Sequence, residues 1–253
     1  MKVTFLGTGT SQGVPIIACQ CAVCLSADTR DKRLRSSIMV EHQGKNFVID
    51  TGPDFRQQML REDVRNVDAV LFTHEHKDHT AGFDDIRAFN FVNQKKMEVY
   101  ASARVQEAIR REFAYIFSDF KYPGIPEINL HLLENKKISI QGVEVMPIEV
   151  MHYKLPVFGF RIGDLTYISD ANFISEEEKE KIKGSKVLVL NALRRVQHIS
   201  HFTLAQAIDL VEELQPDVAY FTHISHQLGL HEQVQKELPT HIQLAFDGLQ
   251  ITL

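Results

Sequence analysis

The run Thr73-His74-Glu75-His76-Lys77-Asp78-His79 holds four candidate metal ligands within six residues, directly behind the apolar stretch Val67 to Phe72. Such a stretch reads as a buried strand, so the strand delivers the cluster to one place in the fold. Neighbouring imidazoles and carboxylates are costly to bury without a neutralising partner. The same groups are good ligands for Zn²⁺, Fe²⁺ or Mn²⁺. Where a strand leads into a helix, successive side chains turn to different sides. His74 and His76 can then serve one metal while Asp78 and His79 face another. A solvated polar turn is the bland alternative, and four ligands straight after a buried strand argue against it.

Strands and helices alternate around this cluster. Val3–Leu6, Ser37–Glu41, Asn46–Asp50, Lys186–Leu190 and Val218–Phe221 read as strands. Gln43-Gly44, Gln141-Gly142, Gly163-Asp164 and Asp247-Gly248 are two-residue hairpin signals, the last predicting a terminal hairpin. Ser102–Phe117 carries helical periodicity. Ser175 with Glu178 and Thr203 with Gln206 have the spacing of capping boxes. Asp68-Ala-Val-Leu-Phe-Thr-His74 parallels Asp217-Val-Ala-Tyr-Phe-Thr-His223, an internal echo that places a Thr-His pair at two strand ends. No linker interrupts the pattern. The expectation is one α/β domain over 1–253, with the aromatic-rich segment 89–133 as a lid.

With 44% hydrophobic and 24% charged residues, the chain is not predominantly disordered. Its net charge of -5 argues against a broad basic footprint for nucleic acid. Val3–Ala27 is uncharged, but Gly, Ser, Gln and Pro break it into runs too short for a membrane span or a signal-peptide core. The cytoplasm is therefore the expected compartment. Of 12 histidines, the placement matters more than the number. The chain's three cysteines, Cys19, Cys21 and Cys24, lie within six residues. Three thiolates so close read as a soft-metal site that lacks one ligand.

The pattern His74-x-His76-x-Asp78-His79 resembles the signature of the metallo-β-lactamase superfamily. Further positions match in order: His152 in Met151-His152-Tyr153, Asp170 in Ile168-Ser169-Asp170-Ala171, and His223 at the end of Tyr220-Phe221-Thr222. Asp50 in Val48-Ile49-Asp50-Thr51-Gly52 matches an early supporting aspartate. The resemblance implies a four-layer αββα sandwich and two divalent ions, zinc, manganese or iron. By position, His74, His76 and His152 would hold one ion, and Asp78, His79 and His223 the other. Asp170 would bridge them, and a bridging hydroxide would be the nucleophile.

Gly7-Thr-Gly-Thr-Ser-Gln-Gly-Val-Pro15 followed by Cys19-x-Cys21-x-x-Cys24 resembles the phosphoribosyl cyclic phosphate phosphodiesterase subfamily. This implies a structural zinc on the three cysteines and His226, and a homodimer. It further implies a small cyclic phosphodiester substrate, with Asp78 and His201 as catalytic residues. His201 would hydrogen-bond the phosphoryl group or protonate the leaving alkoxide; His198 is its rival. The segment Asn191-Ala-Leu-Arg194-Arg195 departs from the subfamily pattern. Arg194, Arg195 and Lys154 are candidates for binding a second phosphate. Other readings on the same scaffold are a tRNA 3′-end nuclease, a lactonase or thioesterase, a mono-iron oxygenase and a quinone-cofactor biosynthesis protein. The nuclease reading lacks the long basic arm it needs.

Overall fold

The β-branched and aromatic runs form two seven-stranded mixed sheets. The structure is a computed structural model that describes residues 1–120 and 122–253. The chain divides into two units: Met1–Leu6, Ser37–Glu134 and Gln250–Leu253 form the first, Gly7–Ser36 and Asn135–Leu249 the second.

In the first unit, β1 (Lys2–Gly7), β2 (Ser37–His42), β3 (Lys45–Ile49), β4 (Ala69–Leu71), β5 (Met97–Ala101), β6 (Ile128–Leu132) and β14 (Gln250–Thr252) lie in the order β14-β1-β2-β3-β4-β5-β6. The β2–β3 hairpin closes through Gln43 and Gly44, both at positive φ, as a two-residue turn that follows the strand twist demands. From β3 to β6 the pairing is parallel. One face of these strands, through Val48, Val70 and Val99, packs on Phe55 and Met59 of the helix Phe55–Arg61 and on Val105 and Ile109 of the helix Ala103–Glu112. Burying each such side chain is worth roughly 1.5–3 kcal/mol. Ser102 caps the second of these helices by accepting from the Val105 N–H. Most of the expected lid is regular: β5, this helix and β6 all fall within 89–133. Between the 3₁₀ turn Ala114–Phe117 and β6 the described residues form no helix or strand, and Lys121 lies outside the described residues.

In the second unit, β7 (Ile138–Ile140), β8 (Val143–His152), β9 (Leu155–Ile162), β10 (Leu165–Ile168), β11 (Val187–Asn191), β12 (Val218–Thr222) and β13 (Ile242–Leu244) follow the order β13-β12-β11-β10-β9-β8-β7. The strands β7 to β10 form an antiparallel meander, and β10 to β13 are parallel. Leu188, Leu190, Ala219 and Phe221 pack on Ala207, Leu210, Val211 and Leu214 of the helix Leu204–Leu214. Thr203 and Gln206 make the full reciprocal capping box there. Ser175 caps its helix through the Glu178 N–H, but the Glu178 carboxylate instead accepts from the Glu149 N–H and Asn135 Nδ2, so that box is half formed.

The terminal hairpin expected through Asp247-Gly248 does not form. β13 pairs with β12, and β14 pairs with β1. Asp247 has other work: its carboxylate accepts from Thr8 N, Thr8 Oγ1 and Leu34 N at 2.7–2.9 Å.

The same loop region buries Arg33, whose guanidinium donates to Thr8 Oγ1, Ala245 O and His231 Nδ1. His231 accepts at Nδ1 and is held neutral. Burial, then the Arg33 and Arg30 charges, lower its pKa from 6.5 to about 4. A histidine depressed in the folded state stabilises fully above its unfolded value and loses that contribution as the pH falls through the folded value. The stability of the chain is therefore expected to drop by about 3 kcal/mol between pH 6.5 and 4 on account of this residue. Urea titrations across that range should show the slope, and His231→Gln should flatten it. Equal slopes in both proteins would remove His231 as the cause.

Candidate metal-binding residues

In the first unit, β3 hands the chain to Asp50, a non-glycine residue at φ +67°. Ser37 Oγ donates to the carbonyls of Ile49 and Asp50 and holds that conformation. The Asp50 carboxylate is fully buried and accepts from Thr73 N (2.9 Å), Thr73 Oγ1 (2.8 Å) and His79 Nδ1 (2.7 Å). Burial raises its pKa, and His79 and Thr73 oppose the rise. The backbone after His79 returns to the same turn: Thr51 N donates to His79 O, and Gly82 N to Thr51 O. Gly82 is required there, since a Cβ would lie 2.1 Å from Gly52 O.

Donor counting then fixes the rings. The Thr73 hydroxyl proton goes to Asp50, so its oxygen accepts from His74 Nδ1 at 3.0 Å. His79 Nδ1–H goes to Asp50. Both rings thereby carry their lone pair on Nε2. His74 Nε2 lies 3.0 Å from His76 Nδ1, and His79 Nε2 3.2 Å from Asp78 Oδ2.

The second unit repeats the device. His152, at the end of β8, donates through Nδ1 to Ser200 O at 2.9 Å. The Ser36 hydroxyl donates to Gly9 O, so its oxygen accepts from His223 Nδ1 at 3.2 Å. His223 sits at φ +55°, just past β12. Again both rings present Nε2. Asp170, two residues beyond β10, is buried, with Oδ1 3.3 Å from His223 Nε2 and 3.0 Å from His201 Nε2. The His152, Asp170 and His201 ligand atoms lie within 4.8 Å of one another. Strain of this kind gathers at functional sites, and here it marks Asp50, His223 and Tyr153 (φ +59°) beside His152.

A histidine ligand characteristically donates its second nitrogen to a fixed acceptor, which sets its tautomer and orientation. His74, His79, His152 and His223 all do so. The donor set of neutral imidazole nitrogens and carboxylate oxygens suits a borderline divalent cation, so the residues present fit the metals that the sequence implies.

Cys19, Cys21 and Cys24 bring their sulfurs to 3.4, 3.3 and 3.7 Å from His226 Nδ1. Tetrahedral zinc with bonds of about 2.3 Å to sulfur and 2.0–2.1 Å to nitrogen needs a sulfur–nitrogen edge of about 3.6 Å. The Cys24 N–H donates to Cys21 Sγ and the Ile16 N–H to Cys24 Sγ. The first of these, followed by His226, lowers the Cys21 pKa to about 6, while burial raises that of Cys24 to about 11. Val14, Val23, Ile16 and Leu230 pack around the cluster.

The remaining candidates are differently occupied. Arg194 donates to Val196 O, Gln197 O and Gln227 Oε1, and Arg195 to Leu228 O and Glu237. Both guanidiniums bind loop carbonyls. Lys154 Nζ lies over the Tyr153 ring, 5.3 Å from its centroid. Thr73, Ser36, Ser200 and Asn191 escaped the sequence reading. Asn191 both accepts from Ala171 N and donates to Ala171 O, at 3.0 Å each, which fixes the backbone after Asp170. Only Thr73 left a sequence signal, in the repeated Thr-His at two strand ends.

A family model described as a β-lactamase superfamily domain matches residues 45–224. The chain belongs to the metallo-β-lactamase superfamily. A solved structure of a diphosphatase from the PhnP family is 38% identical, with TM-score 0.93, over 100% of this chain and 97% of that one. That places the chain in the PhnP family as well. It therefore has the α/β, αββα-type fold of the superfamily and is a metal-dependent hydrolase. An octanoyltransferase of Porphyromonas gingivalis is 39% identical over 99% of this chain, which spans only 51% of that protein. A ribonuclease Z of Methanopyrus kandleri is 23% identical over 87% of this chain and 91% of its own length. No helix among the described residues is long and apolar enough to cross a membrane.

Proposed function

We propose that the chain is a dinuclear metal phosphodiesterase acting on a small, cyclic phosphodiester. The observation that carries this reading is the full-length, 38% identity to a diphosphatase of the PhnP family. In this proposal His74, His76 and His152 hold one ion, and Asp78, His79 and His223 the other. Asp170 serves both, and Asp50 orients His79 and, through Thr73, His74. Cys19, Cys21, Cys24 and His226 hold a separate structural zinc. The chain works in the cytoplasm, as a homodimer, on a small substrate rather than on nucleic acid.

When bound, the two active-site ions make a water acidic enough to attack near neutral pH and offset charge on the phosphoryl oxygens. The chain's own residues do the rest. Buried imidazoles with fixed tautomers keep the site from reorganising. Water oxygen bonds to phosphorus as the ester oxygen departs in line, and His201 Nε2 supplies the proton to that oxygen, leaving a monoester. Lys154 is the cation proposed for a second phosphate, because Arg194 and Arg195 are engaged with loop carbonyls.

The ribonuclease Z relative favours a second reading, cleavage of precursor tRNA. A substrate panel after metal reconstitution separates the two: 2′,3′-cyclic nucleotides, bis-para-nitrophenyl phosphate, a diphosphate-linked ester, precursor tRNA, a lactone and a thioester. The expected result is turnover of the small phosphorus esters, lost on chelation and restored by added metal. Preference for precursor tRNA, lactone or thioester would overturn the proposal.

A further inference from the structure

We propose that Tyr153 and Phe173 form an aromatic platform that stacks a planar heterocycle of the substrate, so that the cyclic phosphodiester taken by this chain carries a nucleobase. This rests on the reading above, in which a phosphodiester is cleaved beside His152 and Asp170.

Tyr153 occupies a conformation that its side chain disfavours. It follows His152 directly, in the turn between β8 and β9, at φ +59°. Glycine or asparagine adopts that conformation at little cost, whereas a bulky residue there is strained. Core packing does not offset the strain, because 48% of Tyr153 stays exposed. The backbone is nevertheless held: its N–H donates to Asn172 Oδ1 at 2.6 Å. A strained residue fixed by its neighbour, with its ring in solvent and beside a proposed metal ligand, fits a side chain presented to a bound molecule.

Phe173 is presented next to it. Met151 N–H donates to Phe173 O at 2.9 Å and Asn172 N–H to Met151 O at 2.8 Å, so Phe173 lies opposite Met151 in an isolated antiparallel bridge. Tyr153 is two residues beyond Met151, and diagonal neighbours of this kind are within reach of aromatic side chains. Phe173 is 56% exposed. A third segment arrives through His152, whose Nδ1 donates to Ser200 O, and it carries the exposed side chains of Val196 and Ile199. Single apolar side chains on a surface need no explanation, but a group of them around candidate ligands marks a binding rim.

The chemistry of the rim selects its occupant. Aromatic rings offer π faces, on which any nucleobase stacks. Lys154 Nζ lies 5.3 Å from the Tyr153 ring centroid, which sets a cation beside the platform to suit an anionic ester. Tyr153 adjoins His152 in the chain and Phe173 follows closely on Asp170, with consecutive Cα atoms about 3.8 Å apart. Both rings therefore stand close to the proposed ligands. In a nucleoside 2′,3′-cyclic phosphate a single ribose joins the phosphorus to the base, which matches this spacing. A sugar cyclic phosphate without a base would leave both rings in water.

The test compares two cyclic esters in the metal-reconstituted protein: adenosine 2′,3′-cyclic phosphate, and methyl ribofuranoside 2,3-cyclic phosphate, in which a methoxy group stands in place of the base. The wild type is expected to favour the adenosine ester about tenfold in kcat/KM, within the range for one stacked base. Tyr153→Asn removes the ring and keeps a residue suited to positive φ. Phe173→Leu keeps an apolar side chain and removes the π face. Each is expected to cut the preference about fivefold, through KM rather than kcat, and Tyr153→Phe to keep it. Proton NMR of adenosine 2′-monophosphate with the zinc-loaded protein reads binding without turnover: upfield ring-current shifts of adenine H2 and H8 in the wild type and Tyr153→Phe, lost in Tyr153→Asn. Equal kcat/KM for the two esters in the wild type, an unchanged preference in both ring-removing variants, or a loss that falls on kcat for both esters alike would each overturn the proposal. If Tyr153→Asn holds less metal than the wild type, Phe173→Leu decides alone. If the wild type hydrolyses neither ester, the functional reading fails, and the ring-current shifts still decide whether these rings hold a base.

Discussion

Asp170→Asn is expected to lower phosphodiesterase turnover about 10³-fold, the equivalent of about 4 kcal/mol of barrier. The substitution preserves shape and removes charge. Asp170 is buried, with one oxygen within 3.3 Å of both His201 Nε2 and His223 Nε2, and Asn191 fixes the backbone beside it. An amide in that position carries no negative charge, and its NH₂ side has no lone pair to offer a cation. Metal content is the companion measurement, and the main site is expected to hold less than two ions per chain. Asp50→Asn provides the graded control. It touches only the ring orientation, through His79 and Thr73, and a supporting partner of this kind is worth about 10–100-fold. If Asp170→Asn kept a tenth or more of wild-type turnover with full metal, Asp170 would not be the shared ligand.

The second large effect concerns folding. Cys24→Ser is expected to remove one zinc per chain and to lower the thermal midpoint by about 6–12 °C. Structural zinc contributes apparent binding energies of about 10–16 kcal/mol in small domains. In a chain this size a loss of only about 3 kcal/mol gives the stated shift, at about 2–4 °C per kcal/mol. The cluster organises a segment that contains little regular structure among the described residues: the one-turn helix Ala22–Leu25 and a small apolar group lie around it. Cys24 is its most buried member, so a serine there leaves a hydroxyl in a site made for sulfur. Metal analysis and calorimetry on the same preparation decide the matter. Full zinc content with an unchanged midpoint would sink the structural assignment.

Much of the candidate site was legible because its ligands are local in sequence or repeat a motif. His74, His76, Asp78 and His79 announce themselves by spacing, and the Thr-His echo points to His223. His152, Asp170, His226 and His201 carried no local signal and entered through the family resemblance. The supporting acceptors were illegible for a physical reason. Ser36, Thr73 and Ser200 act through one hydroxyl or one carbonyl, and any sequence is full of such groups. Only the direction of a hydrogen bond reveals which ones set a tautomer. The fold reads similarly. Two-residue turns were visible at Gln43-Gly44 and Gln141-Gly142. The turn Tyr153-Lys154 between β8 and β9 was hidden, because a tyrosine at positive φ has no compositional cue. At Asp247-Gly248 the turn signal was real but the aspartate served Thr8 and Leu34 instead.

Asp50 grips His79 directly and reaches His74 through the Thr73 hydroxyl. Two imidazoles assigned to different ions thus answer to a single anion. Evolutionary drift that nudges one of them drags its companion along. A lineage of this enzyme would find it hard to swap the preference of one cation while preserving that of its neighbour, and adaptation to a new metal supply would have to alter the couple as a whole.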